Sequence, residues 1–331
     1  MIYLSLLFLL ITMAKAESEH VDFSLHSNFN GYVDNREYRS SFPSYTIFGS
    51  NVSTKAEINL KDRYSLYSGI LMGMRFGRET EIDDFQPLLY ISYKNASYSF
   101  SFGSFKSKAK NRMPKALISD SLRIERPYTE GISLTGFHKY GSISTWIDWT
   151  SFRTGSSREA FRTGLSAGFY PTPFFIRSDL LYYHLARSYW GGEKIHDNGG
   201  FMLTTGFRFH NQALIDSLSV SAAPLLMFDR IRGEYSWQTP AGIKANIKAS
   251  FLIISVSLTY YKRVHGSRPC VNLSGDNFYS SDEFFRTGLS LKIFDTKSID
   301  SEIKLYASSV ERKLNFRQYF QILVSIPGYS K

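Results

Sequence analysis

Residues 21 to 33 alternate in character. Val21, Phe23, Leu25, Phe29, Gly31 and Val33 are apolar or glycine, with Ser27 the exception, and Asp22, Ser24, His26, Asn28, Asn30 and Tyr32 stand between them. A two-residue period sends the two sets to opposite faces of a strand. The same alternation returns about sixteen times along the chain, in segments of roughly ten residues, the length a tilted strand needs to cross a bilayer. Repetition on that scale predicts an all-β fold: a transmembrane antiparallel β-barrel of about 16 strands.

The first residues bear on the compartment. Residues 2–13 form an apolar run too short to span a bilayer as a helix, and it ends in Ala14-Lys15-Ala16, the small-x-small pattern of a signal-peptidase site. The reading is a signal peptide over 1–16 and a single barrel domain over 17–331, although no Lys or Arg precedes the apolar run. No cysteine stands at the cleavage point to carry a lipid anchor. The single cysteine, Cys270, has no partner for an intrachain disulfide.

No later stretch approaches eighteen consecutive apolar residues, and the mean hydropathy of -0.21 is that of a soluble chain, as expected when only every second strand residue meets lipid. Aromatics reach 16% of the chain, more than a core of this size needs and suited to interfacial girdles. The net charge of +10 would suit a nucleic-acid binder, but the cations are scattered, so it reads as lumenal and loop charge with no nucleic-acid partner. A soluble β-sandwich fits poorly. One face of the segment 243–250 carries Lys244, Asn246, Lys248 and Ser250, which suits water, while Ile243, Ala245, Ile247 and Ala249 suit hydrocarbon.

Expected strands fall at 21–33, 47–60, 64–76, 87–94, 97–105, 129–138, 142–152, 160–169, 174–186, 201–210, 216–228, 241–250, 253–263, 284–293, 299–308 and 313–326. Tight connections such as Lys61-Asp62 and Asn95-Ala96 occupy the even gaps. The long ones (34–46, 77–86, 106–128, 187–200, 229–240 and 264–283) all occupy odd gaps. With the N-terminus in the periplasm, that order predicts short periplasmic turns, long extracellular loops and a location in the bacterial outer membrane. The closing strand departs from the usual assembly signal, because Tyr329 is followed by Ser330 and Lys331.

The chain thus resembles the porin-type outer-membrane barrels. It is also similar to barrel proteins of Bacteroidota through the segments Asp34-Asn35-Arg36-Glu37-Tyr38, Trp146-Ile147-Asp148-Trp149-Thr150-Ser151, Ser157-Arg158-Glu159-Ala160-Phe161 and Ile195-His196-Asp197-Asn198-Gly199-Gly200. The porin resemblance implies a channel for passive diffusion of small polar or anionic solutes, without enzymatic activity. The expected partners are membrane lipid, lipopolysaccharide and those solutes. A surface binding or adhesion barrel and an outer-membrane lipid hydrolase are the alternatives.

Strand parity and loop position put Asp148, Arg153, Arg158, Glu159, Asp179, His184, His196, Asp197, Asp229, Arg230, Arg232 and Glu234 toward the extracellular end, where charges of both signs would form a constriction or hold loops over the mouth. Loop 106–128, with Lys108, Lys110 and Arg112, is the candidate constriction element, folded either inward or outward. The adjacent His196 and Asp197 lack the further ligands of a metal site, and Asn198-Gly199-Gly200 reads as a turn into a strand. Neither a metal nor a cofactor is expected. Barrel hydrolases that resemble outer-membrane phospholipase use His and Ser two apart on a lipid-facing strand. Here His265-Gly266-Ser267 has that spacing in a polar loop, and Ser24 and His26 share a polar face.

Overall fold

The computed structural model describes residues 21–77, 84–189, 191–212, 215–266 and 272–326. The signal-peptide expectation for 1–16, Cys270, Ser267 and the terminal Tyr329-Ser330-Lys331 lie outside these residues. Sixteen strands follow one another: β1 Val21–Glu37, β2 Tyr45–Leu60, β3 Tyr64–Arg75, β4 Asp84–Lys94, β5 Tyr98–Phe105, β6 Thr129–His138, β7 Gly141–Ser151, β8 Ala160–Phe169, β9 Phe174–Leu185, β10 His196–Gln212, β11 Ile215–Ile231, β12 Ala241–Phe251, β13 Ile254–His265, β14 Glu283–Asp295, β15 Ile299–Val310 and β16 Lys313–Ile326. Each pairs antiparallel with the next, and β16 returns to β1 with Gly31 opposite Ile322. Closure leaves no sheet edge.

The tight hairpins follow from local backbone chemistry. Lys61 and Asp62 both take φ of 54° between β2 and β3, and Glu311 and Arg312 take 53° and 60° between β15 and β16. Two consecutive positive φ values make the mirror-image turn whose twist matches that of the paired strands.

Alternation along each strand separates two surfaces. Phe207, Ile243, Ile247, Leu289, Leu305 and Phe316 are exposed on the outer wall, where only hydrocarbon could cover them. Trp146, Leu181, Met202, Leu225, Met227 and Tyr261 are buried on the inner wall. What buries them is the chain itself. Loop 106–128 turns into the barrel and forms two short helices, α1 Lys108–Asn111 capped by Ser107 and α2 Asp120–Glu125 capped by Ser119. Between them Met113, Ala116, Leu117 and Ile118 pack on the inner wall, joined by Phe278 and Tyr279 of the 3₁₀ turn Asn277–Ser280. Burial of each large aliphatic side chain contributes about 1.5–3 kcal/mol. The inward loops form a plug.

Lys110 presents no free cation to a solute path. Its Nζ donates to Asp148 Oδ2 at 2.7 Å, to Tyr128 O at 2.9 Å and to Arg126 O at 3.3 Å, and both members of the pair are buried. The lysine and the aspartate therefore fasten the plug to β7, in place of the constriction role expected for them.

Strands β10 and β11 extend beyond their expected limits at the extracellular end, from His196 and to Ile231. The reason lies at the paired glycines. A Cβ on Gly199 would stand 2.2 Å from Leu181 O and 2.5 Å from the Phe228 ring, and one on Gly200 would stand 2.4 Å from Met227 Sδ. These glycines permit close packing within a strand, and the turn read into Asn198-Gly199-Gly200 does not exist.

Candidate active site on the outer wall

The extension of β10 and β11 exposes a site that parity had assigned to the wrong face. On β10, Asn198 accepts a hydrogen bond from Leu273 N of an inward loop and Met202 is buried in the plug, so the even positions face the lumen. Asp197 therefore faces outward, with Phe201 and Phe207. By the same test Tyr182 and His184 leave β9 on the side opposite Leu181, and Arg230 leaves β11 on the side opposite Met227. The expectation that His184, Asp197 and Arg230 line a pore is thus corrected. One residue of strand shift in reference moves a side chain across the wall.

These residues lie in one row. Trp149 pairs with Phe161, Phe161 with His184, His184 with Asp197, and Asp197 with Arg230, across β7 to β11. Asp197 is fully buried and saturated with donors. Its Oδ1 receives Tyr182 Oη at 2.8 Å, His184 Nδ1 at 2.8 Å and Arg232 Nη2 at 3.3 Å. Its Oδ2 receives Arg230 Nη2 at 2.7 Å and Arg232 Nε at 2.8 Å. A carboxylate only accepts, so His184 carries a proton on Nδ1, and Nε2 is the ring nitrogen turned away from the carboxylate. Among the described residues Nε2 has no partner.

An aromatic frame surrounds the charges. Trp149 stacks on Phe161 at 5.3 Å and Phe161 lies 5.2 Å from the His184 ring. On the other side Arg230 sits over Trp237 at 4.3 Å, and Phe228 meets Trp237 edge-on at 5.9 Å. Gly199 makes room for Phe228. The pairing of β7 with β8 shifts register between Trp149 and Ser151, a bulge of the kind that re-aims side chains beside sites. Trp149 Nε1 and Arg230 Nε are buried donors without a partner among the described residues. Such groups cost about 1–3 kcal/mol each unless something satisfies them.

The other expected residues are dispersed. Asp179 faces the lumen, paired with Arg177 at 2.7 Å, and Arg177 also donates to the carbonyl of Arg112 at 2.8 Å. Lys108 is exposed on α1. Among the extracellular loops Arg153 lies 5.5 Å over the Tyr189 ring. Arg158 pairs with Glu193 at 3.1 Å, the backbone carbonyl of Glu159 accepts from Ala186, and Glu234 meets Lys194 at 3.6 Å. His196 faces inward to Asp229 at 2.6 Å, so it cannot share a ligand with its neighbour Asp197. Ser24 and Glu57 both approach the same His26 nitrogen, Nε2, at 2.8 and 2.7 Å. One nitrogen cannot take the serine proton while its only hydrogen is held by the glutamate, so this trio is no nucleophile relay.

The lumenal mouth holds a second charged cluster. Arg317 donates to Asp34 at 2.7 and 2.9 Å, and Asp120 accepts from Lys115 at 2.6 Å, Arg123 at 2.9 Å and Arg317 at 3.0 Å. Burial pushes the Asp120 carboxyl up, but Lys115, Arg317 and Arg123 outweigh it and hold it well below the usual carboxylate range. A polar cavity of about 260 Å³ lies beside this cluster, lined by Arg36, Tyr45, Glu125 and Asp276 among others.

Sequence comparison finds a family model described as lipid A 3'-O-deacylase-type, matching residues 14–327. No curated protein matches. Solved structures similar to this one include OpdL of Pseudomonas aeruginosa, 9% identical, covering 92% of this chain and 99% of its own, with a TM-score of 0.61. OprD of the same organism is 9% identical over 93% of this chain and 95% of its own, TM-score 0.59. The anion-selective porin from Comamonas acidovorans is 8% identical over 93% and 100%, TM-score 0.56. At such identities these likenesses show the fold, that of an outer-membrane barrel. The expectation of a chain without enzymatic activity is overturned by the family match, because that family is described by an ester-cleaving reaction.

Proposed function

The chain belongs to the lipid A 3'-O-deacylase-type family, and from that premise we propose that it hydrolyses an acyl ester of a phosphorylated glycolipid at the outer-wall row of β7 to β11. The observation that carries the reading is the buried Asp197 carboxylate with His184, Arg230 and Arg232 on a wall otherwise built for hydrocarbon. Ionisable groups facing lipid are expensive and are kept where they do work. An amphiphile embedded in the outer leaflet reaches this face without entering the barrel.

His184 Nε2 would take a proton from a water that attacks the ester carbonyl, while Asp197 holds the ring and stabilises the imidazolium that forms. The same proton then passes from Nε2 to the departing sugar oxygen, which leaves a free fatty acid and a hydroxyl. Arg230 and Arg232 neutralise Asp197 and leave one net positive charge beside the reaction, placed for a phosphate or for the oxyanion. Trp149 Nε1 and Arg230 Nε lie unpartnered just beneath the surface, and they become donors to a polar headgroup once its binding parts the side chains that cover them.

The test is fatty-acid release from lipid A in mixed micelles by the purified barrel, read by mass spectrometry. Release that disappears in His184→Ala supports the reading. Absence of release from the parent, or release unchanged in the variant, removes it.

A second reading concerns the lumen. The sector along β1 to β3 is polar and only partly buried, with Asn30 bonded to Gln321, Lys55 to Tyr90 and Glu57 to His26, and the porin-type fold supports passage of small solutes there. Single-channel conductance in planar bilayers checks it. A parent barrel that carries no current would leave the wall chemistry alone.

A further inference from the structure

At the row described above the barrel wall is one residue thick, and its inner side is tied down as firmly as its outer side. His196 and Asn198 flank Asp197 and face the lumen, and Asp229 faces the lumen beside Arg230. His196 Nε2 lies 2.6 Å from Asp229 Oδ1, Asn198 Nδ2 donates to the same oxygen at 2.8 Å, and Tyr235 Oη donates to Oδ2. Tyr235 belongs to the turn that delivers Arg232: the N–H groups of Glu234 and Tyr235 both bond Ile231 O, and Arg232 N bonds Ile195 O at 2.9 Å.

The inner knot continues into the plug. Asn198 Oδ1 accepts from Leu273 N at 3.0 Å. The residues beside Leu273 bind loop 106–128 through Ser119 N to Ser274 O at 2.8 Å and Asp276 N to Lys115 O at 2.8 Å. At Gly275 the two loops touch so closely that a Cβ would stand 2.2 Å from Ala116 O.

We propose that Asp229 is a positioning residue for the outer-wall site, and that the lumenal plug, acting through Leu273, Asn198 and Asp229, holds Asp197, Arg230 and Arg232 in their working arrangement. This rests on the hydrolytic reading of the wall. Strand ends beside long loops fray unless something ties them. Here the first residues of β10 and the last residues of β11 carry the outer site, and on the lumenal face they are tied together through His196, Asn198, Asp229 and Tyr235. Asp229 itself touches none of the outer-wall groups. Its loss frees the 231–235 turn and with it the Arg232 guanidinium, and small displacements of this kind lower turnover by about 10- to 100-fold.

The experiment uses the full-length barrel refolded in detergent, with Asp229→Asn and, as a milder variant, Tyr235→Phe. Heat-modifiable electrophoretic mobility reports that the barrel is closed. Two readouts are taken: kcat for fatty-acid release, and the rate of phenylglyoxal modification at Arg230 and Arg232, followed peptide by peptide. In a closed Asp229→Asn barrel, Arg232 should label several-fold faster than in the parent and kcat should fall about tenfold or more. Tyr235→Phe should move both in the same direction by less. Labelling at the parental rate in a closed Asp229→Asn barrel overturns the proposal. If that variant does not close, parental labelling and kcat in Tyr235→Phe overturn it instead. Labelling needs no catalysis, so a parent that cleaves no ester would sink the hydrolytic reading while the labelling rates still decide whether inner and outer faces are coupled.

Discussion

Two charged clusters sit near the extracellular end of this barrel, one on each side of the wall, and they are built differently. In the lumen Asp34 and Asp120 meet Arg36, Arg317, Lys115 and Arg123, with acids and bases drawn from β1, β16 and loop 106–128. Every donor but Arg123 Nε is spent on a neighbour, and the cluster joins elements that are distant in sequence. On the outside one carboxylate serves a histidine, a tyrosine and two arginines, and His184 Nε2, Trp149 Nε1 and Arg230 Nε are left over. A network that consumes its own donors is structural; one that leaves donors unspent, beside a base held in one tautomer, is equipped to meet something else.

The sharpest way to break this contrast is to disable each cluster in turn. His184→Ala or Asp197→Asn should lower kcat by about 10²- to 10⁴-fold, the usual contribution of general-base machinery, with heat-modifiable mobility unchanged. Asp34→Asn should show the opposite pattern: weaker folding in a urea titration and turnover close to the parent. A lumenal variant that abolished turnover while remaining fully folded would erase the distinction.

Next in size is the fastening of the plug. Lys110→Met leaves Asp148 buried without its cation, and breaking a buried pair by removing one partner costs about 3–5 kcal/mol. The expected result is a lower denaturation midpoint and a larger single-channel conductance. Unchanged conductance would mean that the apolar contacts of Met113, Leu117 and Ile118 hold the loop without the ion pair.

Acidification tests the same element more gently. Asp120 and Asp276 both have carboxyls held below the usual range, burial in each case being outweighed by neighbouring cations, chiefly Lys115 for Asp120 and Arg286 for Asp276. A depressed folded-state value means that their stabilisation is fully present above the unfolded carboxylate pKa of about 3.9. It is lost as pH falls below that value through the folded-state ones. The plug should stay protected from proteolysis between neutral pH and about pH 5 and loosen only in stronger acid. Loosening already near pH 6 would mean that these two carboxylates are not what holds the plug.

The smallest effect is expected at the edge of the outer row. Trp149→Phe keeps the stack on Phe161 but removes the unpartnered Nε1 donor, and a single neutral hydrogen bond is worth about 0.5–1.5 kcal/mol. KM should rise a few-fold with kcat nearly unchanged. A change in kcat alone would place Trp149 nearer the reacting atoms than the headgroup.

Much of the architecture was legible along the chain because a period of two and the spacing of tight turns are local properties. The sixteen strands, their order, and the division between short and long connections all follow from them, and closure follows from the need to leave no unpaired edge in lipid. The candidate site was less legible. His184, Asp197, Arg230 and Arg232 all stood out as charged groups near one end, yet Asn198-Gly199-Gly200 resembles a turn, and reading it so breaks the alternation that would have sent Asp197 outward. The plug was ambiguous for a related reason. Loop 106–128 advertises its Lys and Arg residues, while the short apolar run Ala116-Leu117-Ile118 that fixes its place is the only signal that it packs inside.

What the sequence by itself determined is therefore the barrel: strand number, strand order, and a lipid-facing and a lumen-facing surface, each set by steric and solvation rules acting over a few neighbouring residues. Which face receives the decisive carboxylate was settled only in three dimensions. Gly199 accepts the Phe228 ring, β10 and β11 stay paired to their ends, and Asp197 is thereby held outside while His196 and Asn198 are bound within. Those contacts join residues about thirty to seventy-five positions apart, as in Asp197 to Arg230 and Asn198 to Leu273. Their cost in chain entropy is met only once the whole barrel has closed around the plug.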